Sequence, residues 1–249
     1  MARESSILKL KGQLDGMSFY KTQEGYQVRA KGGIERERIL NDANFERTRE
    51  NMNEFGNINS AGKLIRNSIG VFLNRAKDMR TSSRLGSVVA QVKNLDVVSD
   101  RGQRSFAVGI ESPDAKILLE GFEFNKNAPL SSILKQEYAI DTEVGSLSIP
   151  QFYPKEHLMI PEYATHVRFS FACAVIDAVT LTSKVKFAEQ QMISVDAEMA
   201  DVELTLDALP DLEGVKMFYI LLEYFQDING KLYPLKSGAY NALRLVRVV

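Results

Sequence analysis

The chain has 249 residues, 45% of them hydrophobic and 25% charged, which is enough apolar material for a substantial core and argues against bulk disorder. A net charge of -1, one cysteine and two histidines give no overall pull toward nucleic acid, no internal disulfide and no zinc-type ligand spacing. The charge is unevenly spread: residues 1–116 carry 20 Lys+Arg against 14 Asp+Glu, and residues 117–249 carry 11 against 18. Opposite signs on the two halves steer unlike faces of neighbouring copies together, or else mark two solvated surfaces with no partner.

Residues 1–40 read as a β-ribbon or arm. Leu8 and Leu10 alternate with Lys9 and Lys11, Met17 and Phe19 with Ser18 and Tyr20, and Tyr26 and Val28 with Gln27 and Arg29, the two-residue period of a strand. Thr22-Gln23-Glu24-Gly25 supplies the loop between the last two runs. A ribbon this small is marginal alone and packs either on its own chain or on another subunit. Phe19, Tyr20, Tyr26 and Arg29 are its candidate interface residues, with Tyr20 and Tyr26 expected on one face and Arg29 nearby, since Tyr and Arg anchor interfaces.

Residues 41–100 change to helical period. Asn41 or Asp42 caps a helix through Phe45, Thr48, Met52 and Phe55, which Gly56 ends or interrupts. Ser60 caps a second, with Ala61, Leu64, Ile65, Ser68, Ile69, Phe72 and Ala76 as its buried stripe. Thr81-Ser82-Ser83 opens a third, carrying Leu85, Val88, Val89, Val92 and Leu95. On the second helix Lys63, Arg66, Lys77 and Arg80 fall within about a third of the circumference and form a basic face. This face is a solvated surface, a contact for the acidic half of another subunit, or a weak phosphate grip.

Residues 101–116 hold two turn-prone clusters and are expected to be a linker. Residues 117–249 are expected to form an antiparallel β-sandwich of immunoglobulin type, giving an α+β chain overall. Its strands are Leu118–Phe124, Ser146–Ile149, His166–Val175, Val179–Phe187, Met192–Val195, Val202–Leu206, Val215–Tyr224, Lys231–Leu235 and Ala242–Val249. Asn229-Gly230 is the strongest local signal, a two-residue hairpin turn between the runs ending Tyr224 and starting Lys231. Pro234 belongs at an edge or a strand end.

The sequence contains no arranged catalytic chemistry. Gly56 and Gly62-Lys63 are five residues apart where a phosphate-binding loop has four, and Leu64 replaces the magnesium-binding Ser or Thr. His157 and His166 stand alone, and Cys173 lies in the apolar run Phe169–Val175, as a small buried hydrophobe would. Glu120 and Glu123 are expected on a solvated strand face. No catalytic, metal or cofactor-binding residue is assigned, although scattered carboxylates leave divalent ions open, and no small-molecule ligand is expected. The opening residues lack the apolar core of a signal peptide and no run approaches the ~20 apolar residues of a membrane span, so the expectation is a cytoplasmic protein.

Four segments carry a resemblance. Gly12–Lys21 (GQLDGMSFYK), Glu24–Gly33 (EGYQVRAKGG), Phe45–Asn51 with Glu54–Gly56, and Leu232–Leu243 (LYPLKSGAYNAL) together resemble an uncharacterised family of proteins from Bacteroidetes-type bacteria. The resemblance implies a bacterial origin and a structural rather than catalytic role. The expected function is therefore a non-enzymatic, self-assembling structural protein whose partners are copies of itself in a ring, tube or filament. The alternative is a protein-, glycan- or nucleic-acid-binding module that uses the basic helical face.

Overall fold

The computed structural model describes residues 2–3, 10–30, 32–235 and 239–249. Leu8 and Lys9, Lys31, and residues 236–238 of the C-terminal motif lie outside the described residues. Helix and strand occupy 30% and 34% of the chain, so neither dominates, and the sheets are antiparallel, one of them curled as a half-barrel. The chain divides into two compact units, Met1–Arg49 and Glu50–Val249.

The first unit holds a four-stranded sheet in the order β1 (Ala2–Arg3), β4 (Gly25–Ala30), β3 (Met17–Thr22), β2 (Gly12–Leu14). Asp15 and Gly16, both at positive φ, make the two-residue turn from β2 to β3, the geometry that matches strand twist. Gln23 and Glu24 turn β3 into β4, because Thr22 pairs with Gly25. Helix α1 (Arg36–Asn41) follows. Asp42 then caps a 3-10 turn (Ala43–Phe45) by accepting from the Asn44 amide at 2.9 Å. Arg49 ties this corner by donating to the carbonyls of Ile39 and Asp42, each at 2.8 Å.

Helix α2 (Glu46–Ser68) runs straight through Gly56 and Ser60, so the expected break there does not occur. A helical glycine costs about 1 kcal/mol, and burial of Ile58, Ala61 and Ile65 on the same helix outweighs it. The second expected helix is instead cut short: Ile69 leaves helical geometry, α3 (Gly70–Leu73) makes one turn, and Asn74–Arg80 run as loop into α4 (Thr81–Asn94). Lys77 and Arg80 therefore lie in that loop and not on the helix of Lys63 and Arg66.

Residues 101–116 contain α5 (Phe106–Gly109) and the start of α6 (Pro113–Leu119) and bury Phe106, Ile110 and Ala115. Residues 118–124 do not form a strand. Helix α6 continues through Leu119, and Gly121, Phe122 and Phe124 then exchange backbone hydrogen bonds with Leu243 and Leu245. Two further single turns, α7 (Leu130–Ile133) and α8 (Pro154–His157), lie among the strands that follow.

The centre of the second unit is the antiparallel pair β7 (His166–Asp177) and β11 (Val215–Ile228), in register from Val215↔Ile176 to Phe225↔His166. The outer edge of β7 carries β8 (Thr182–Phe187) and β9 (Gln191–Ser194), while that of β11 carries β12 (Lys231–Pro234) and β13 (Ala242–Val248). Asn229 and Gly230, at φ 54° and 78°, make the β11–β12 turn, and Pro234 ends β12 at the sheet edge. A second sheet is ordered β10 (Ala200–Thr205), β6 (Ser146–Phe152), β5 (Ala139–Asp141).

Strands β7 and β11 are buried on both faces, which is why they read as unbroken apolar runs. Ala172, Ala174, Ile176, Met217, Tyr219 and Leu221 join a core with Ile65, Phe72, Leu85 and Val89 of the helices. The alternate residues, among them Phe169, Phe171, Cys173, Phe218 and Ile220, share a second core with Leu147, Ile149, Val202 and Leu204 of the three-stranded sheet. The unit thus has three layers: helices, six-stranded sheet, three-stranded sheet. An immunoglobulin-type sandwich leaves to solvent the face that the helices cover here.

Candidate functional site

In the N-terminal sheet the register sets which side chains share a face. Phe19 lies opposite Val28, Lys21 opposite Tyr26 and Met17 opposite Ala30, and Leu14 lies opposite Met17. One face is therefore largely apolar, with Leu14, Met17, Phe19, Tyr26, Val28 and Ala30, and carries Lys21 beside them. The other carries Ser18, Tyr20, Gln27 and Arg29, with the Arg29 guanidinium 5.5 Å from the Tyr20 ring centre. Tyr20 and Tyr26 thus occupy opposite faces, contrary to the expectation from sequence. The two-residue turn places Tyr20 across from Gln27, and Tyr26 pairs with Lys21, whose ammonium lies 5.9 Å from its ring centre. None of the described residues 10–49 is buried, and Leu14 is 61% exposed.

The basic residues are gathered on the second unit. Arg66 and Lys77 line one cleft of about 490 Å³ together with Asn67, Asn74 and Ser82. Arg80 lines an adjacent cleft with Arg84 and Lys126. Asp78 borders both. Burial pushes its carboxyl up, but the amides of Lys126 and Arg80 and the Arg84 guanidinium outweigh that and hold it below the usual carboxylate range. Lys63 lies one turn before Arg66 on α2 and is exposed.

One exposed side of α2 carries apolar and basic residues together. Met52, Phe55, Asn59, Lys63 and Arg66 recur at three- and four-residue steps and fall within about 80° of the helix, beside the stripe of buried Ile58, Ala61 and Ile65. Met52 and Phe55, which the sequence places on the first expected helix, are 52% and 65% exposed.

A third surface lies where β9 approaches β10. The Gln191 side chain donates to the Asp201 carbonyl at 2.8 Å and accepts from the Glu203 amide at 3.1 Å, bridging two strand edges in place of a backbone ladder. Around this seam a cleft of about 460 Å³ is lined by Glu189, Gln190, Asp201 and Glu203. From residue 187 to 215 the chain has eight carboxylates and no Lys or Arg, and all eight carboxylate residues are exposed.

The remaining reactive side chains have structural partners. Cys173 is buried as expected, and burial pushes its thiol up to about 12. His157 accepts from the Tyr153 amide, and the His166 ring contacts the Thr165 hydroxyl at 2.9 Å. Glu120 accepts from the Val248 amide. Glu123 is half-buried, accepts from the Leu130 amide and faces Arg244. Burial outweighs those contacts and raises its carboxyl above the usual value. The residues Gly56–Leu64 are helical throughout. Among the described residues, no three of His, Cys, Asp and Glu group so as to hold a metal, and no helix is long and apolar enough to cross a membrane.

Comparisons with protein-family models, curated proteins and solved structures returned no match.

Proposed function

We propose that this is a non-enzymatic, self-assembling structural protein whose N-terminal sheet is an arm completed by another copy. One observation carries the reading: the sheet has a largely apolar face of Leu14, Met17, Phe19, Tyr26 and Val28, yet none of the described residues 10–49 is buried. Leu14 and Met17 are exposed and Phe19 and Val28 only half-buried, which costs roughly 25 cal/mol per Å² of apolar surface left in water, and association removes that cost. The proposal retains the bacterial origin and the cytoplasmic location implied by the sequence. It also keeps the sandwich reading of residues 117–249, supported by two antiparallel sheets facing each other across one core, with the immunoglobulin-type likeness confined to that pair of sheets and the helices added on the outer face.

Light scattering after size-exclusion chromatography, at low and high salt, tests the reading. The wild type should exceed its monomer mass of 27.9 kDa, and Leu14→Ser/Phe19→Ser should reduce the associated fraction. A wild type that remains at 27.9 kDa at every concentration in both buffers would falsify it.

The clustering of Arg66 with Lys77 in one cleft supports a second reading, in which the basic surface binds nucleic acid. An electrophoretic shift of a nucleic-acid fragment that disappears in Lys63→Glu/Arg66→Glu is its signature, and no shift at low salt removes it.

A further inference from the structure

We infer that copies associate head to tail through two surfaces of the second unit. The outward ridge of α2 (Met52, Phe55, Lys63, Arg66) on one copy seats on the acidic β9–β10 seam (Glu189, Asp201, Glu203) of the next. This rests on the self-assembly reading and adds a second contact to the one made by the N-terminal sheet.

The layer order is the first argument. The buried side of α2 packs into the core on the helical face of the six-stranded sheet, so the ridge, which flanks that buried side, belongs to the helical layer's surface. Val202 and Leu204 of β10 point into the other core, and the alternate residues Asp201 and Glu203 are exposed. These two carboxylates therefore face outward from the opposite side of the three-layer unit. The ridge and the seam cannot meet within one copy. A contact between them repeats in one direction, as a heterologous interface does unless its rotation closes a ring.

Complementarity is the second argument. The ridge offers two cations and two exposed apolar side chains, with Lys77 extending the positive surface beside Arg66. The seam offers exposed carboxylates flanked by Met192 and Met199, 37% and 49% exposed. Of its carboxylates, Asp196 has an ion pair with Lys155 at 2.8 Å. Apolar groups with opposite charge around them are the composition of a protein interface with steered association. Nucleic acid is repelled by the acidic seam, so a second copy fits both surfaces where nucleic acid fits one.

Charge exchange tests the pairing. Lys63→Glu/Arg66→Glu and Glu189→Lys/Glu203→Lys change exposed or half-buried positions, and each variant is first shown to melt as the wild type does. Sedimentation velocity is then run on each alone and on an equimolar mixture. Each alone should lose part of the rise in mass with concentration that the wild type shows, because like charges then meet at this contact. The mixture should regain it, because acidic ridges meet basic seams and basic ridges meet acidic seams in an alternating chain. Variants that each grow like the wild type, or a mixture that does not recover, overturn this contact while leaving self-assembly standing. A wild type that never exceeds the monomer overturns the reading beneath it. Loss of nucleic-acid binding in Lys63→Glu/Arg66→Glu with growth unchanged assigns the ridge to nucleic acid and also overturns the contact.

Discussion

Replacing Lys93 by Met tests whether α2 and α4 are locked by a buried charge pair. The Lys93 ammonium lies 2.5 Å from the Glu54 carboxylate, and the two side chains are only 7% and 12% exposed. Removing one partner of a buried pair costs about 3–5 kcal/mol, because the other charge is left in a poor dielectric. We expect the low end, about 3 kcal/mol, since the Gly102 amide at 2.8 Å and nearby Arg104 still face the carboxylate. For a unit of this size each kcal/mol shifts the melting temperature by roughly 2–4 °C, so the loss is about 6–12 °C by calorimetry. Glu54→Gln/Lys93→Met should cost less than the sum of its single variants. The Lys93 hydrogen bond holds Glu54 below its ordinary value of 4.5, so this stabilisation is full above that pH and is lost as pH falls through the lowered value. The gap between wild type and Lys93→Met should therefore narrow in acid. A variant melting within about 2 °C of wild type, or a gap independent of pH, refutes the lock.

Asp96 is 1% exposed and accepts hydrogen bonds from the amides of Val98, Ser99 and Ser105. Burial pushes its carboxyl up but these donors outweigh it, and its pKa lies below 3.8. Asp96→Asn should cost about 2 kcal/mol at neutral pH, a difference that closes below pH 3.8 and is read by urea unfolding at two pH values. Gly109→Ala places a Cβ 2.1 Å from the Val92 carbonyl oxygen and 2.9 Å from its carbon, so α5 must move off α4. A loss of about 3 kcal/mol is expected, and an unchanged unfolding midpoint would show that the two helices do not approach this closely.

How much of this was legible depends on how local the cause is. The Asn229-Gly230 turn, the cores of β7 and β11 and the buried stripe Ala61–Ile65–Phe72 follow from neighbours in sequence, and they are present. The third layer was harder to read. Phe169–Val175 is apolar in both parities, which signals burial on two faces, but the sequence does not say that one face meets helices and the other a sheet. The small Ala172 and Ala174 on the helix side, against Phe169 and Phe171 on the other, are the available clue.

The separation of Tyr20 from Tyr26 was also readable, since a two-residue turn between Thr22 and Gly25 fixes the parity of both strands. Helical spacing places Met52 and Phe55 on one side of α2 without saying whether anything covers them. The acidic stretch from 187 to 215 is plain in sequence. Its bridging by Gln191 between two strand edges depends on chain folding and has no local signature.

Hydrogen–deuterium exchange over Met17–Ala30, measured on the full-length chain at concentrations a hundredfold apart, tests most directly whether the N-terminal sheet finds its interior in another copy. The account expects exchange of these amides to slow as concentration rises. Identical rates across that range would contradict it.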